Sequence, residues 1–253
     1  YRDDVRDLWR GRSSWAVAAD HLTGSAERFR ASGREPTASI NAVATHDGFP
    51  LADLVTYDAP VGGGHDQRSW GGGLDGPTRD PVVLAARQRR QRALIGTLAC
   101  PLGVPMLLAG DELGRTQHGT ADGYTLESPA AGVAWGDADW DLAAWTAEAL
   151  AVRDRHPALR WARWVDHDEH RLRWRAADGT LLGPDDWTDE LRSLQVTVDG
   201  TDLGDTDLVL AFHAGVEAAA VDLVLPAGRW EAVLDAAWIR PPRPGDRPRF
   251  DGE

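Results

Sequence analysis

Apolar positions recur along this chain with more than one period, and each period predicts a different element. "DDVRDLWRG" places Val5, Leu8 and Trp9 on one face of a short helix that Gly11 ends. Residues 12–38 read as a short helix and loops. In "SINAVATHDGFP", Ile40, Ala42, Val43 and Ala44 follow one another almost without interruption, and the run stops at His46-Asp47-Gly48. An apolar run of this length predicts a strand over 40–45 covered on both faces, as in a parallel sheet. "PLADLVTYD" predicts a brief helix, and the Gly-rich segment 59–78 has no period at all. Connections of that length tend to be functional or mobile.

Asp80-Pro81 is a helix start, an N-cap acid followed by Pro at the first helical position. The helix "PVVLAARQRRQRALIGTLAC" is expected to turn Val83, Leu84, Leu94, Ile95 and Leu98 inward and to carry Arg87 to Arg92 on a solvated face. Pro101 and Gly103 end it. "VPMLLAGDELG" is then a second apolar run that ends in a turn with Asp111 and Glu112. Strand, helix and strand in this order predict a right-handed βαβ unit. Both acid-bearing turns fall at the carboxyl ends of parallel strands, the side on which α/β folds build their sites. A further helix is expected at about 139–155, with Leu142, Trp145, Ala149 and Val152 at helical spacing.

After "HPALR" the pattern changes to short β-prone runs separated by turns. Asp178-Gly179 and Asp199-Gly200 mark candidate hairpins. The chain therefore reads as an α/β part, residues 1–158, followed by an all-β part, residues 159–253, expected to be an antiparallel β-sandwich. The Pro- and Arg-rich end, "RPPRPGDRPRFDGE", is expected to be irregular.

Composition narrows the function classes. In 253 residues, 42% are hydrophobic and 26% charged, ordinary values for a globular protein. No apolar run is long enough for a membrane-spanning helix, and "YRDDVRDLWRG" is not a signal peptide. The absence of Met at position 1 reads as a processed, trimmed or partial chain. A single cysteine, Cys100, fits a reducing, cytoplasmic setting and excludes an internal disulfide or a thiolate metal cluster. Net charge is −13, and the Arg residues are scattered, so no nucleic-acid partner is expected. Trp is the dominant aromatic, 12 residues against 3 Tyr and 4 Phe. Flat rings of this kind pack in cores or against the apolar faces of sugars.

His46 and Asp47 are the first candidate site residues, either as a strand-end cap or as an imidazole–carboxylate couple offered to a ligand. Asp111 and Glu112 either contact substrate or serve locally, Asp111 capping the next turn and Glu112 pairing with an Arg. Trp70, in the Gly-rich loop, either stacks on a sugar ring or anchors the loop by packing. His65-Asp66 and His167-Asp168 repeat the His-Asp pair, but neither ends a buried strand, so no metal or other cofactor is expected.

Taken together, "SINAVATHDGFPLADLVTYD", "SWGGGLDGPTRDPVVLAARQRRQRALIGTLACPLGVPMLLAGDELGRTQHG" and "LVLAFHAG" resemble the glycogen debranching, isoamylase-type branch of the α-amylase superfamily. The resemblance extends over almost the whole chain. It implies an eight-stranded (β/α) TIM barrel followed by a β-sandwich, with Ile40 to Asp47 as the seventh strand and Val104 to Glu112 as the eighth. It implies retaining hydrolysis of α-1,6 branch linkages in glycogen or a limit dextrin. Of the three acids such a reaction uses, only the transition-state stabiliser maps here, onto Asp47, with His46 as a sugar-contacting residue. The nucleophile and the general acid have no matching segment, so the chain is expected to be the carboxyl-terminal portion of a barrel and inactive by itself. The loop after the second strand, "GTADGYTLESPAAG", lacks the family's Asn-rich, Cys-containing segment. The competing readings are a non-catalytic α-glucan-binding protein on the same scaffold and a partial chain with no stable function of its own.

Overall fold

The computed structural model describes residues 1–127, 132–164, 171–215 and 219–253. The third His-Asp pair, His167-Asp168, lies outside them. Helices come first: α1 (Arg2–Trp9), α2 (Trp15–Leu22), α3 (Ala26–Phe29) and, after a short strand, α4 (Leu51–Leu54). The long helices α5 (Pro81–Ala99) and α6 (Trp140–Arg155) follow. Each starts on the acid the sequence offers. The Asp80 carboxylate accepts from the Val82 and Val83 amides, and that of Asp139 accepts from Leu142.

One apolar cluster joins these helices. Val5 from α1, Val43, Leu51 and Val55, Leu94, Ile95 and Leu98 from α5, and Leu142, Trp145 and Ala149 from α6 are all buried within it. The expected stripe on α6 is therefore the one that packs. On α5 the stripe is shifted toward its carboxyl end, because Leu84 is 39% exposed and only the last turns face the core.

The Arg run on α5 is not a solvated face. Arg87 and Arg92 are buried. Arg87 donates from Nε and Nη2 to the Gly71 carbonyl, and from Nη2 to that of Leu74. Arg92 donates to the Ala236 carbonyl, and the Arg90 guanidinium lies 4.4 Å from the Trp70 ring centre. A guanidinium carries five donors in a planar fork, so it satisfies irregular backbone that has no ladder partner. The Gly-rich loop and residues 234–238 supply that backbone.

β1 (Ile40–Asn41) and β2 (Val104–Pro105) pair in parallel, Ile40 opposite Val104 and Asn41 opposite Pro105. The ladder is far shorter than the apolar runs predict. Beyond Asn41 the backbone groups go to side chains instead, the Val43 carbonyl to Arg6 for example. Burial of the run is as expected from Asn41 to Ala44, whereas its first residue, Ile40, is 66% exposed. Gly103, at φ 105°, lets the chain entering β2 lie against β1, since a Cβ there would stand 2.6 Å from the Ser39 carbonyl oxygen.

The later strands are β3 (Leu172–Arg175), β4 (Ser193–Val198) and β5 (Leu208–His213), antiparallel in that order, and the pair β6 (Gly228–Glu231) and β7 (Arg249–Gly252). Every residue of the central strand β4 is buried. Leu194 packs with Leu8, Trp15 and Ala18 of α1 and α2, which ties this sheet to the amino-terminal helices. On the other face Gln195 accepts from the Val224 amide. Asp178-Gly179 makes a tight turn after β3, closed by Gly179 N–H to Ala176 and by a single bridge from Arg175 to Leu181. Asp199-Gly200 opens a longer connection to β5, with a 3-10 turn at Thr201–Leu203.

Candidate functional site

The buried run Ala42–Ala44 surfaces at His46 and Asp47, which are both exposed. Side chains from distant parts of the chain hold each flank of this turn. On the entering side, Arg6 donates from Nε to the Val43 carbonyl at 2.7 Å, and Arg2 donates to Thr45 Oγ1 at 3.1 Å. The Thr45 hydroxyl in turn donates to the Asp47 carbonyl at 3.1 Å. On the leaving side, the Gly48 amide donates to Ala121, and Gln117 Nε2 donates to the Gly48 carbonyl. The Phe49 amide donates to Gln67 Oε1 at 3.0 Å, and the Phe49 ring has no exposed surface. Gly48 sits at φ 110°, and a Cβ would stand 2.5 Å from Gln67 Oε1, so this position admits only glycine without rearrangement. Arg6 also donates to the Gln67 carbonyl, which links the two flanks through one guanidinium. The result is an imidazole and a carboxylate on a short turn whose ends are fixed and whose tip is open to solvent.

The remaining candidates fall elsewhere. Asp111 is 0% exposed, so none of it faces a ligand. Its Oδ1 accepts from the Leu51 amide at 2.9 Å, which satisfies the first orphan donor of α4 from across the fold. Its Oδ2 is buried with no hydrogen-bond partner. Burial pushes the Asp111 carboxyl up to about 7, against the opposing pull of the Leu51 amide and Arg115. Asp111 therefore caps α4 rather than its own turn. Glu112 accepts from the Gly110 amide at 3.0 Å and so closes its own turn. Trp70 is half-buried, stacked by Arg90 and tied through its amide to the Leu54 carbonyl, the packing-anchor arrangement. At the second His-Asp pair, Asp66 is held by Arg10 and by the Arg68 amide; desolvation pushes its carboxyl up, but these hydrogen bonds and the Arg10 charge together hold it below the usual range. Among the described residues no cluster of His, Cys, Asp and Glu is arranged to hold a metal ion.

Sequence reading missed the supports of the turn. Arg6, Gln67 and Gln117 are polar residues in polar or Gly-rich surroundings, and nothing in their spacing marks them. Asp53 did carry a signal, an acid among the apolar residues of α4. It is buried and accepts from the amides of Gln117 and Gly119 and from the Thr116 hydroxyl, which fixes the loop that Gln117 uses to reach Gly48. Burial raises its carboxyl pKa, and those three donors oppose the rise.

No helix of the described residues is long and apolar enough to cross a membrane. No protein-family model matches the sequence. Known proteins do. The chain is 34% identical over 243 residues to the glycogen debranching enzyme of Cronobacter sakazakii, an alignment covering 92% of this chain and 36% of that protein. It is 37% identical over 206 residues to the glycogen operon protein GlgX homolog of Mycobacterium tuberculosis H37Rv, covering 74% of this chain and 29% of the relative. The chain thus spans about a third of the length of the curated relatives it matches. Among solved structures it superposes on a pullulanase from Bacillus acidopullulyticus, with a TM-score of 0.65 at 18% identity, over 94% of this chain and 25% of that one. It also superposes on pullulanase type I from Bacillus subtilis strain 168 complexed with maltose, with a TM-score of 0.66 at 18% identity, over 99% and 32%. The structural likenesses show that the chain shares the fold of the corresponding part of these pullulanases, and its sequence is related to glycogen debranching enzymes over about a third of their length.

Proposed function

We propose that this chain acts as part of an α-glucan debranching hydrolase that cleaves α-1,6 branch linkages with retention, Asp47 stabilising the transition state and His46 contacting the sugar. The observation that carries the reading is the braced, exposed His46–Asp47 turn at the end of a buried run, in a chain 34% identical to a debranching enzyme over 92% of its length. Glycoside cleavage with retention needs a carboxylate to attack the anomeric carbon and a carboxylic acid to protonate the leaving oxygen. A third carboxylate that bonds the sugar hydroxyls favours ring distortion toward the oxocarbenium-like state. Asp47 suits that third task, because an ionised acceptor makes stronger hydrogen bonds than a neutral one, and a clamped turn holds it without reorganisation.

On this reading β1 and β2 are the last two strands of a (β/α) barrel, and residues 159–253 form its β-sandwich. Two features of the fold support a barrel completed by other strands. Ile40, Val104 and Met106 present apolar side chains that are 66%, 50% and 43% exposed. A two-stranded parallel sheet also leaves two unpaired edges, which folded proteins usually pair, cover or blunt and which only a closed barrel abolishes. The lone thiol fits a cytoplasmic setting. The substrate is a branched α-glucan such as glycogen or a limit dextrin.

Reassembly tests the reading. The chain by itself is expected to release no reducing ends from β-limit dextrin. Mixed with the two thirds of the Cronobacter sakazakii enzyme that it does not match, it is expected to restore release. A correctly associated complex that releases none would reject the proposal.

A second reading, a non-catalytic α-glucan-binding protein, is favoured by one observation. Trp135 and Trp140 form an exposed stacked pair, 65% and 58% accessible with ring centres 6.3 Å apart. Association without turnover in the reassembly experiment, with retained retardation on glycogen gels, is the outcome that selects it.

A further inference from the structure

In a chain of net charge −13, four arginines converge on one cleft far along the sequence from the His46–Asp47 turn. The cleft has a volume of about 460 Å³ and lies between α6 and the Pro- and Arg-rich segment 240–247. Arg155 lines it from the end of α6; Arg240, Arg243 and Arg247 line it from the segment. One carboxylate, that of Glu148, is in the lining.

Neighbouring acids orient three of these guanidiniums and consume the donors of only one, Arg247. Glu148 Oε1 accepts from Arg155 Nη2 at 2.7 Å and from Arg247 Nη2 at 2.8 Å. Arg247 also reaches Glu231 and the Pro242 carbonyl, so its donors are spent, and it serves as a fixed, largely buried post. Arg240 is held through Nε by Asp141, which leaves its two Nη groups for other partners. Arg243 has no ion pair among the described residues. Pro241, Pro242 and Pro244 set the backbone of the segment with fixed φ, and with Ala144 they give the cleft an apolar wall.

We propose that this cleft binds a phosphate monoester carried on a sugar. A carboxylate is satisfied by one bidentate fork, whereas a phosphate monoester presents three acceptor oxygens and between one and two negative charges, which matches the free donors of Arg155, Arg240 and Arg243 together. Arg is the residue suited to such forked recognition. The volume falls within the range of roughly 300–1,000 Å³ usual for small-molecule sites, which leaves room for a hexose against the Pro–Ala wall beside the phosphate. The ester is equally well supplied by a free hexose phosphate or by a phosphorylated glucosyl unit of a glucan chain.

Isothermal titration of the 253-residue chain with glucose 6-phosphate, glucose, inorganic phosphate and a phosphorylated dextrin tests this. Saturable one-to-one binding of glucose 6-phosphate, weaker binding of inorganic phosphate and none of glucose are expected. Binding of the phosphorylated dextrin more tightly than glucose 6-phosphate identifies the polymer as the source, and the reverse order identifies the free ester. Arg243→Ala and Arg155→Ala, at exposed positions, are each expected to lower affinity at least tenfold with the melting temperature unchanged, and Arg243→Lys to retain part of it. The absence of saturable binding to any phosphate ester, or undiminished affinity in both Ala variants, would overturn the proposal.

Discussion

Asp111→Asn is expected to unfold well above the unsubstituted chain at pH 8 and close to it at pH 4. The reason is the buried carboxyl behind α4. Its pKa is about 7 in the folded chain and 3.8 in the reference state. An acid whose folded pKa is raised holds its proton longer folded than unfolded. Its folded form is therefore favoured most below the unfolded pKa, and stability is lost as pH rises from about 4 through about 7. Three pKa units correspond to about 4 kcal/mol, and for a chain of this size that is a shift of roughly 8–16 °C. Asn keeps an oxygen to accept from the Leu51 amide and has no charge to bury, so its pH profile lacks this slope. Thermal unfolding of both proteins at pH 4, 6 and 8 checks it. Parallel profiles would show that Asp111 ionises freely and that its Oδ2 is not the orphan the structure shows.

The second large effect is catalytic and rests on the proposed debranching activity. In the reassembled enzyme, Asp47→Asn is expected to lower kcat by about 10²- to 10³-fold, the usual scale for removing one group that stabilises charge in the transition state. KM is expected to move far less, since the interaction strengthens mainly as the ring distorts. Because Asp47 is exposed and the clamps on its turn hold its neighbours Val43, Thr45, Gly48 and Phe49 rather than its own side chain, the fold and the reassembly are expected to be unaffected. A loss confined to KM would assign Asp47 to ground-state binding instead.

The elements that local chemistry controls were legible in the sequence. Asp80-Pro81 starts α5, the Leu142–Trp145–Ala149–Val152 stripe buries α6, and the apolar run before His46 is buried from Asn41 to Ala44. What depended on distant partners was not legible. The strand at 40–45 narrows to Ile40–Asn41 because ladder formation requires neighbouring strands, and a run of apolar residues does not say how many are present. Arg87 and Arg92 look like a solvated face until the irregular carbonyls of Gly71, Leu74 and Ala236 are placed opposite them. Asp111 at the end of an apolar run gives the same local signal as Asp47 does. The difference is that Asp111 meets the first turn of α4, which it caps, while Asp47 meets open solvent.

That contrast makes the His46–Asp47 turn the point on which the account stands. With the chain carrying ¹³C-labelled histidine and reassembled with the unlabelled remainder of a relative, the ring signal of His46 can be assigned by His46→Gln and followed during titration with maltotetraose. The account predicts a saturable shift of that signal, abolished or strongly weakened by Asp47→Asn. A His46 signal that stays put while the enzyme continues to turn over branched glucan would contradict it.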